Sequence, residues 1–384
     1  MAIVHPFFDN FSGTEYYVNF STGTDDLAAG RGASDGDPWK TIKYAIETGI
    51  TRNATSGDRV NCKDNATHTV ATAIDVTQYA ADATSAAPLI VQGYTSTPND
   101  GGLADIDVDT GVAFQSSGSF DHSYWKDLDI EGNYNGILHL VDRNGATIAC
   151  RIVNNDTTGG EAYLQDRDAI AAFCYFEGDD SSRVVNSSLT STFIGCIAKN
   201  NGNGGCFDDG QCYYCVAWSA GNPGAAAKLI GTDSAIAIHC VAVCTGTPNA
   251  TSCGIDHLSH DMPCFGNYVE NVGIGYRSTI AKNIVFGNSY YNVTTPFAAS
   301  PSGLYVDDAP VDAGSSILTD PSNGDFTIKA GSTDVDELLV PMGFANGAVA
   351  EKFNAYIDTA TGLMKGAGGS GATPNRGLLT GGRL

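Results

Sequence analysis

The stretch Phe193–Asn201, FIGCIAKNN, is one copy of a phrase that recurs between residues 121 and 288. The other copies are WKDLDIEGN (125–133), TIACRIVNN (147–155), AAFCYFEGD (171–179), CYYCVAWSA (212–220), AIHCVAVCT (237–245), DMPCFGNYV (261–269) and IAKNIVFGN (280–288). Aligned by eye, they place these residues in one column: Leu128, Cys150, Cys174, Cys196, Cys215, Cys240, Cys264 and Asn283. A second column, two residues later, holds Ile130, Ile152, Phe176, Ala198, Ala217, Ala242, Gly266 and Val285.

This pattern is apolar at alternate positions and predicts a strand with one face turned inward. One strand about every 22 residues, each lying on the last, predicts a parallel solenoid. The ladder cysteines are then small buried side chains stacked coil on coil, rather than disulfide partners. Cys212 and Cys215 form a CxxC without a second pair at zinc spacing, which disfavours a metal site there.

The composition restricts the classes of function. The net charge of −23 disfavours nucleic-acid binding, since such proteins carry basic stripes. No apolar stretch is long enough to span a membrane. The first residues, MAIVHPFFDNFSG, lack the pattern of a secretory signal, so we expect the chain to fold where thiols stay reduced.

The sequence predicts four regions: a leader (1–15), an N-terminal strand, loop and capping helix (16–56), a solenoid (57–332), and a C-terminal segment with a Gly-rich tail (333–384). Asp37 and Pro38 predict the start of the capping helix, as N-cap and first helical residue. Such a helix would close the open end of the solenoid core, with Trp39 as part of the plug.

Four phrases carry a family resemblance: YYV followed by GDPWKTIKYAI (within 16–46), GDRVNC (57–62), PLIVQGYTSTPNDGG (88–102) and LTDPSNGDFTIKAGS (318–332). They resemble the right-handed parallel β-helix proteins of the pectate-lyase-like superfamily, as found in bacteria and their phages. The resemblance implies an all-β fold, a right-handed parallel β-helix with a capping helix and an irregular C-terminal segment. It leaves function open, because this fold carries lyases, hydrolases, adhesins and viral spikes.

Counting back seven residues from the cysteine column gives one file of ionisable residues, Asp208, Asp233 and His257. If the coils keep one register, two carboxylates about 5 Å apart suit a retaining glycosidase, with His257 as a proton donor. Asp209 and Asp256 beside this file would equally suit calcium. Asp is also common in tight turns for backbone reasons alone. The Asp208–Asp209 pair resembles that of polygalacturonases, but their Gly-His-Gly and Arg-x-Lys motifs are missing from this sequence.

Aromatic residues suggest a sugar-binding flank, since ring faces stack on apolar sugar faces, and Tyr214 and Trp218 are the candidates. Tyr213 has the parity of the inner column and is predicted to face the core.

Three functions follow from these expectations. The first is a structural protein of a bacteriophage virion, a spike, fibre or head-decoration protein, that binds host surface polysaccharide and assembles with other virion proteins as a homotrimer. The second is a polysaccharide lyase or glycoside hydrolase. The third is an extracellular bacterial adhesin.

Overall fold

The computed structural model describes residues 11–329, with gaps at 78–83, 85, 110–112, 116–119, 134–137, 141, 157–160, 166–167, 180–182, 188–189, 226, 233–235, 258–262, 279–283, 300–304 and 307–310. Three long sheets, here named A, B and C, run the length of this part of the chain. Each strand pairs in parallel with the equivalent strand of the next coil. The predicted all-β fold is confirmed: the chain forms a right-handed parallel β-helix.

The strands follow in the same order in every complete coil: sheet A, then B, then C. The twelve strands of sheet A are Thr14–Asn19, Asp58–Lys63, Leu89–Tyr94, Ser123–Lys126, Ala146–Ile148, Ile170–Ala172, Thr192–Ile194, Gln211–Tyr213, Ala237–Ile238, Pro263–Phe265, Ile284–Phe286 and Tyr305–Val306. The eleven of sheet B are His68–Val70, Ala104–Val108, Leu128–Gly132, Arg151–Asn154, Tyr175–Gly178, Ile197–Asn200, Val216–Ser219, Val241–Cys244, Tyr268–Glu270, Ser289–Tyr291 and Val311–Asp312. The ten of sheet C are Ile74–Asp75, Phe114–Gln115, Leu138–Leu140, Tyr163–Gln165, Arg183–Asn186, Gly205–Asp208, Lys228–Thr232, Cys253–His257, Ile274–Ser278 and Thr295–Ala299. Two smaller sheets pair Phe120–Asp121 with Asp142–Arg143 in parallel and Leu318–Asp320 with Asp325–Ile328 antiparallel.

The N-terminal end of the core is closed by a short helix, Ile42–Tyr44, that continues as a π-helical turn, Ala45–Gly49. This helix begins later than the sequence predicts, and its N-cap is Thr41, whose side chain accepts a hydrogen bond from the Tyr44 amide. The reason is that Trp39 is held in an extended bridge to the first strand, where its amide donates to the Tyr17 carbonyl at 3.0 Å. Trp39 itself is buried and stacks on Tyr16, as expected of the plug.

The cysteine column is confirmed for its first six members and wrong for its last two. The true column follows a left-handed residue at the corner between sheets A and B, and it runs Leu128, Cys150, Cys174, Cys196, Cys215, Cys240, Asn267 and Asn288. Cys264 instead lies on the inner face of sheet A, where it pairs with Ala237 and Val285. The second column likewise ends in Val269 and Tyr290, rather than Gly266 and Val285.

In this column, cysteine thiols and asparagine side-chain amides donate the same hydrogen bond, to a sheet A carbonyl of the preceding coil. Cys240 Sγ donates to the Cys212 carbonyl of the preceding coil at 3.3 Å, and Asn267 Nδ2 donates to the equivalent Ala237 carbonyl at 2.9 Å. Burial raises the pKa of Cys174 and Cys215 well above its usual value, so both remain protonated and able to donate. All eleven cysteines are buried and unpaired. We call this column the thiol–amide ladder.

A C-terminal hairpin lies on the outside of the solenoid. Its strands, Leu318–Asp320 and Asp325–Ile328, are joined by a short 3-10 turn, Pro321–Asn323, which ends at Gly324 with φ +79°. Leu318, Phe326 and Ile328 pack with the outward residues Val216 and Val243 of sheet B in one apolar cluster. The strand Asp325–Ile328 therefore covers part of one outer face of the solenoid. The predicted C-terminal segment 333–384 lies outside the described residues.

Candidate functional site

Sheet C carries charged side chains of alternating sign on its outer face. From the lower to the upper coils they are Glu161, Arg183, Asp208, Lys228, Asp256 and Arg277, here named the sheet C charged row. The apolar side chains of the same strands, such as Phe207 and Ile255, point into the core. The sheet therefore holds these polar groups on a rigid support, coil above coil.

The lower half of the row centres on Arg183. Its guanidinium forms an ion pair with Asp208 and lies 3.8 Å from Glu161, measured from Nε to Oε1. Asn186 donates from Nδ2 to the same Glu161 oxygen at 3.2 Å. Arg183 and Asp208 are about one third and one quarter exposed, so water weakens their pairing.

The upper half centres on Asp256, whose side chain is 0% exposed. Arg277 binds this carboxylate in a bidentate manner: Nε donates to Oδ1 at 2.9 Å and Nη2 donates to Oδ2. Lys228 Nζ lies 3.6 Å from Oδ2. A buried carboxylate held by two cations keeps both of them in fixed places, and their outer parts remain in contact with water.

Gly231 separates the two halves. It occupies the strand position between Asp208 below and Asp256 above. A Cβ there would come within 2.6 Å of Lys228 Cδ, so the missing side chain makes room for Lys228 to cross the strand toward Asp256. The Lys228 side chain thus lies over Gly231, between Asp208 and Asp256.

The predicted file of Asp208, Asp233 and His257 does not keep the expected register. Asp208 pairs with Gly231 instead of Asp233, and the residue above Gly231 is Asp256. His257 is one position further along its strand, beside Thr232. Asp233 and the His257 side chain lie outside the described part of the structure, so their chemical roles stay predictions. Asp208 and Asp256 are two coil steps apart, about 10 Å, which exceeds the separation of a retaining pair.

The calcium prediction involved Asp209 and Asp256. Asp256 is poorly suited as a ligand, because Arg277 and Lys228 already hold its oxygens. Asp209 adopts a left-handed conformation, φ +61°, in the turn after its strand, as the turn interpretation predicted. Within the described ranges, no three His, Cys, Asp or Glu side chains are grouped closely enough to hold a metal ion. Asp209 as a ligand stays a prediction.

The two aromatic candidates lie on different surfaces. Tyr214 is a left-handed corner residue, φ +56°, and its partly exposed ring stacks on His239 at 5.3 Å. Trp218 is on the outer face of sheet B, where Phe326 of the hairpin meets it edge-on at 5.1 Å and Lys199 Nζ lies 4.8 Å from its ring. The Trp218 ring is therefore a support for the hairpin. Sugar binding by Tyr214 and Trp218 stays a prediction.

Tyr213 was expected in the core and is instead on the outer face of sheet A, paired with Ile194. Its neighbour Cys212 faces the core. The left-handed conformation of Tyr214 turns the chain between the sheets, so inward parity does not carry across the corner.

The cations of the sheet C charged row were not among the residues predicted from the sequence. Arg183, Lys228 and Arg277 stand in strands without a shared motif, and only the strand register brings them next to Asp208 and Asp256. The one sequence feature that could have indicated them is their position, since Lys228 and Arg277 each lie on a strand that follows a turn.

A second charged row, also missed, lies on the outer face of sheet B. Arg151 bridges Asp129 at 2.7 Å and Glu131 at 3.3 Å, and Lys199 pairs with Glu177 at 2.7 Å. Burial raises the pKa of Glu177, but hydrogen bonds, the largest from Lys199, outweigh it and hold this pKa below its usual value. These side chains satisfy one another along the ladder, which is typical of a solvated sheet face.

The described residues contain no helix with the length and apolar character needed to cross a lipid bilayer.

Comparisons with known proteins give matches among solved structures alone. No family model and no curated protein sequence matches the chain. A crystal structure of pectate lyase Pel9A matches at 12% identity over 83% of this chain and 89% of that chain, with a TM-score of 0.47. A rhamnogalacturonan lyase matches at 11% identity over 78% and 86%, with a TM-score of 0.34. A GH136 lacto-N-biosidase from Eubacterium ramulus matches at 10% identity over 77% and 68%, with a TM-score of 0.31.

At sequence identities this low, the matches say nothing about the function of this chain. The assignment stands on the chain's own three parallel sheets, which repeat coil after coil around one apolar core. The chain is a right-handed parallel β-helix.

Proposed function

We propose that this chain is a polysaccharide-binding β-helix whose binding face is the outer face of sheet C. In the finer form of the proposal, it is an exposed structural protein of a bacteriophage particle, a spike, fibre or head-decoration protein. It would bind host surface polysaccharide there, next to other virion proteins and as a homotrimer.

The observation that carries the proposal is the sheet C charged row. A polysaccharide repeats the same hydroxyl and carboxyl groups along its length, and the row repeats polar groups about every 4.8 Å along the solenoid. Arg277 uses two of its five donors on Asp256 and keeps the others for a ligand. Because Asp256 is buried, Arg277 and Lys228 are ordered before a ligand arrives, which lowers the entropic cost of binding.

The unpaired thiols support the virion form of the proposal. Eleven buried, reduced cysteines suit a chain that folds in a reducing compartment, as phage proteins do inside the host. The strong negative charge suits an exposed, soluble part of a particle. Light scattering coupled to size exclusion tests the trimer, and a monomer at every concentration would contradict it.

The binding face is tested by titrating the full chain against capsular polysaccharides and exopolysaccharides from candidate hosts, with calorimetry as the readout. Arg277→Ala and Lys228→Ala are expected to weaken binding at least about tenfold, the effect of losing a charge-assisted hydrogen bond. Lys199→Ala is the matched control, since Lys199 also pairs with a carboxylate but lies on sheet B. Equal losses in all three variants, or in none, would refute sheet C as the binding face.

A second candidate is cleavage of the bound glycan, by a lyase or a hydrolase. Two ordered cations, Lys228 and Arg277 on either side of Asp256, are the feature that favours it, since cations stabilise the negative charge that develops during elimination from a uronic acid. Asp256 has a structural part in this candidate, because Arg277 and Lys228 already engage its carboxylate oxygens. Release of unsaturated products or new reducing ends, lost in Arg277→Ala and kept in Lys199→Ala, tests this candidate. Binding without any product would leave the chain a binding protein.

A further inference from the structure

A lysine is buried on the outer face of sheet A. Lys126 ends the strand Ser123–Lys126 and is 1% exposed. Its neighbours in the same outward column are Gln92 on the coil below and Ile148 on the coil above, and they are 0% and 2% exposed. Lysine is almost never buried this fully unless its nitrogen has partners. The groups around Lys126 Nζ therefore decide what this residue can do.

Lys126 Nζ lies between an amide and a carboxyl group. It donates a hydrogen bond to Asn99 Oδ1 at 3.0 Å, and it forms an ion pair with Asp127 Oδ2 at 3.4 Å. The Asp127 side chain is 3% exposed. Burial raises the pKa of Asp127 to about 6, so its protonated form is accessible near neutral pH. An amine, a carboxamide and a carboxyl group that can carry a proton thus meet in one place with little water.

The turn that carries Asn99 is held in place by the next residue. The Asp100 carboxylate accepts hydrogen bonds from the backbone amides of residues 95, 96, 97 and 102 at 2.6 to 3.1 Å. Gly93 lets this turn come back against the Asp127 backbone, since a Cβ on Gly93 would lie 2.0 Å from the Asp127 carbonyl oxygen and 2.4 Å from that of Gly102. The fold therefore holds the amide and the amine together, which favours a reaction between them.

We propose that Lys126 and Asn99 join in an intramolecular isopeptide bond, with Asp127 as the proton carrier. Lys126 first passes a proton to Asp127, which leaves a neutral amine and a neutral carboxylic acid. The Nζ lone pair attacks Asn99 Cγ, so the Nζ–Cγ bond forms and the electrons of the C=O bond move to Oδ1. When the C=O bond forms again, the Cγ–Nδ2 bond breaks. Asp127 gives its proton to the departing Nδ2 and takes one from Nζ.

The products balance without any other reactant. Nδ2 leaves as ammonia, which takes the remaining proton from Asp127 and departs as ammonium, so the charge of one ammonium ion is kept. No atom is oxidised or reduced. The bond ties the turn after Leu89–Tyr94 to the end of the strand above it, Ser123–Lys126, and so joins two consecutive coils. A reductant does not break such a cross-link, and it restricts the unfolded chain as a disulfide would.

The test is mass spectrometry of the full chain, denatured just before measurement. Loss of one ammonia should make the wild-type chain about 17 Da lighter than its sequence requires. Trypsin should fail to cut after the acylated Lys126. Further cleavage after Phe114 should leave the peptide that contains Asn99 joined to the peptide that contains Lys126. A wild-type chain that keeps its full sequence mass after prolonged incubation would overturn the cross-link, and this measurement needs no variant to fold.

Four variants separate the cross-link from other losses of ammonia. Lys126→Arg should have its full sequence mass, and a deficit that remains in it would come from cyclisation of an asparagine elsewhere and contradict the bond. Asn99→Asp should lose water instead, about 18 Da. Asp127→Asn keeps the shape of the side chain but cannot carry the proton, so most of this variant should stay unlinked, and complete cross-linking would refute the role of Asp127. Lys199→Arg is the matched control and should keep the wild-type deficit, since Lys199 also pairs with a carboxylate.

Discussion

Cys240 offers a direct test of the thiol–amide ladder. Its thiol donates to the Cys212 carbonyl, and its amide donates to Asn267 Oδ1 of the next coil at 2.8 Å. In Cys240→Asn the new Nδ2 takes over the bond to Cys212, while the new Oδ1 accepts from the Cys215 amide, as Asn267 does one coil above. Each such bond contributes about 1 kcal/mol, against about 1 kcal/mol or more for fitting the larger side chain. The expected free energy of unfolding is within about 1 kcal/mol of wild type.

Two further variants show whether the tolerance of asparagine is specific to the thiol–amide ladder. Cys240→Ala removes a buried sulfur and leaves a small cavity, at a cost of about 1–2 kcal/mol. Cys206→Asn is the matched control: Cys206 is equally buried, but in a sheet C strand away from the ladder, so its amide gains no stacked partner. That variant should lose about 3 kcal/mol. Urea unfolding under reducing conditions measures all three. If Cys240→Asn is as damaging as Cys206→Asn, thiols and amides are not interchangeable here.

Four further outcomes are expected. Asp256→Asn weakens the hold on Arg277 and Lys228 and should cost about 2 kcal/mol in urea unfolding, while the same change at an exposed carboxylate costs little. Gly231→Ala should displace Lys228 and weaken glycan binding with less than about 1 kcal/mol of destabilisation, and a larger loss would mean that the strand itself is distorted. Burial lowers the pKa of His239 to about 4, so its contribution to stability is full above pH 6.5 and is lost as pH falls toward 4. At pH 5 the loss is about 2 kcal/mol, and it should disappear in His239→Asn. Trp218→Ala should release the hairpin, seen as faster hydrogen exchange at 318–328 with the coils still protected; unchanged exchange would show that the ring is dispensable.

The architecture was predictable because one physical rule repeats along the chain. Each coil must bury one residue where the chain turns from sheet A into sheet B, and six consecutive coils use leucine once and cysteine five times there. The prediction failed where the residue type changed. Asn267 replaces cysteine in the column, while Cys264 fills an inner position of sheet A, so matching by residue type aligned the wrong pair.

The sheet C charged row could not be predicted from the sequence, for a related reason. The turn between sheets C and A varies in length, so Asp208 stands seven residues before Cys215, whereas Gly231 stands nine before Cys240. A constant offset therefore misplaces every residue beyond such a turn. The partners of Asp256 also come from neighbouring coils, Lys228 from one side and Arg277 from the other, and only hydrogen-bonded register specifies that contact.

The burial of every cysteine makes the chemical fate of this protein depend on whether it is folded. The native chain presents no thiol to an oxidant or an alkylating reagent, since all eleven are inside. Once unfolded it presents all of them together, and we expect disulfides formed in the open chain to keep the coils from restacking. Heating without a reductant is therefore irreversible. In an oxidising environment the working lifetime of the protein is set by how seldom it opens, a rate rather than an equilibrium.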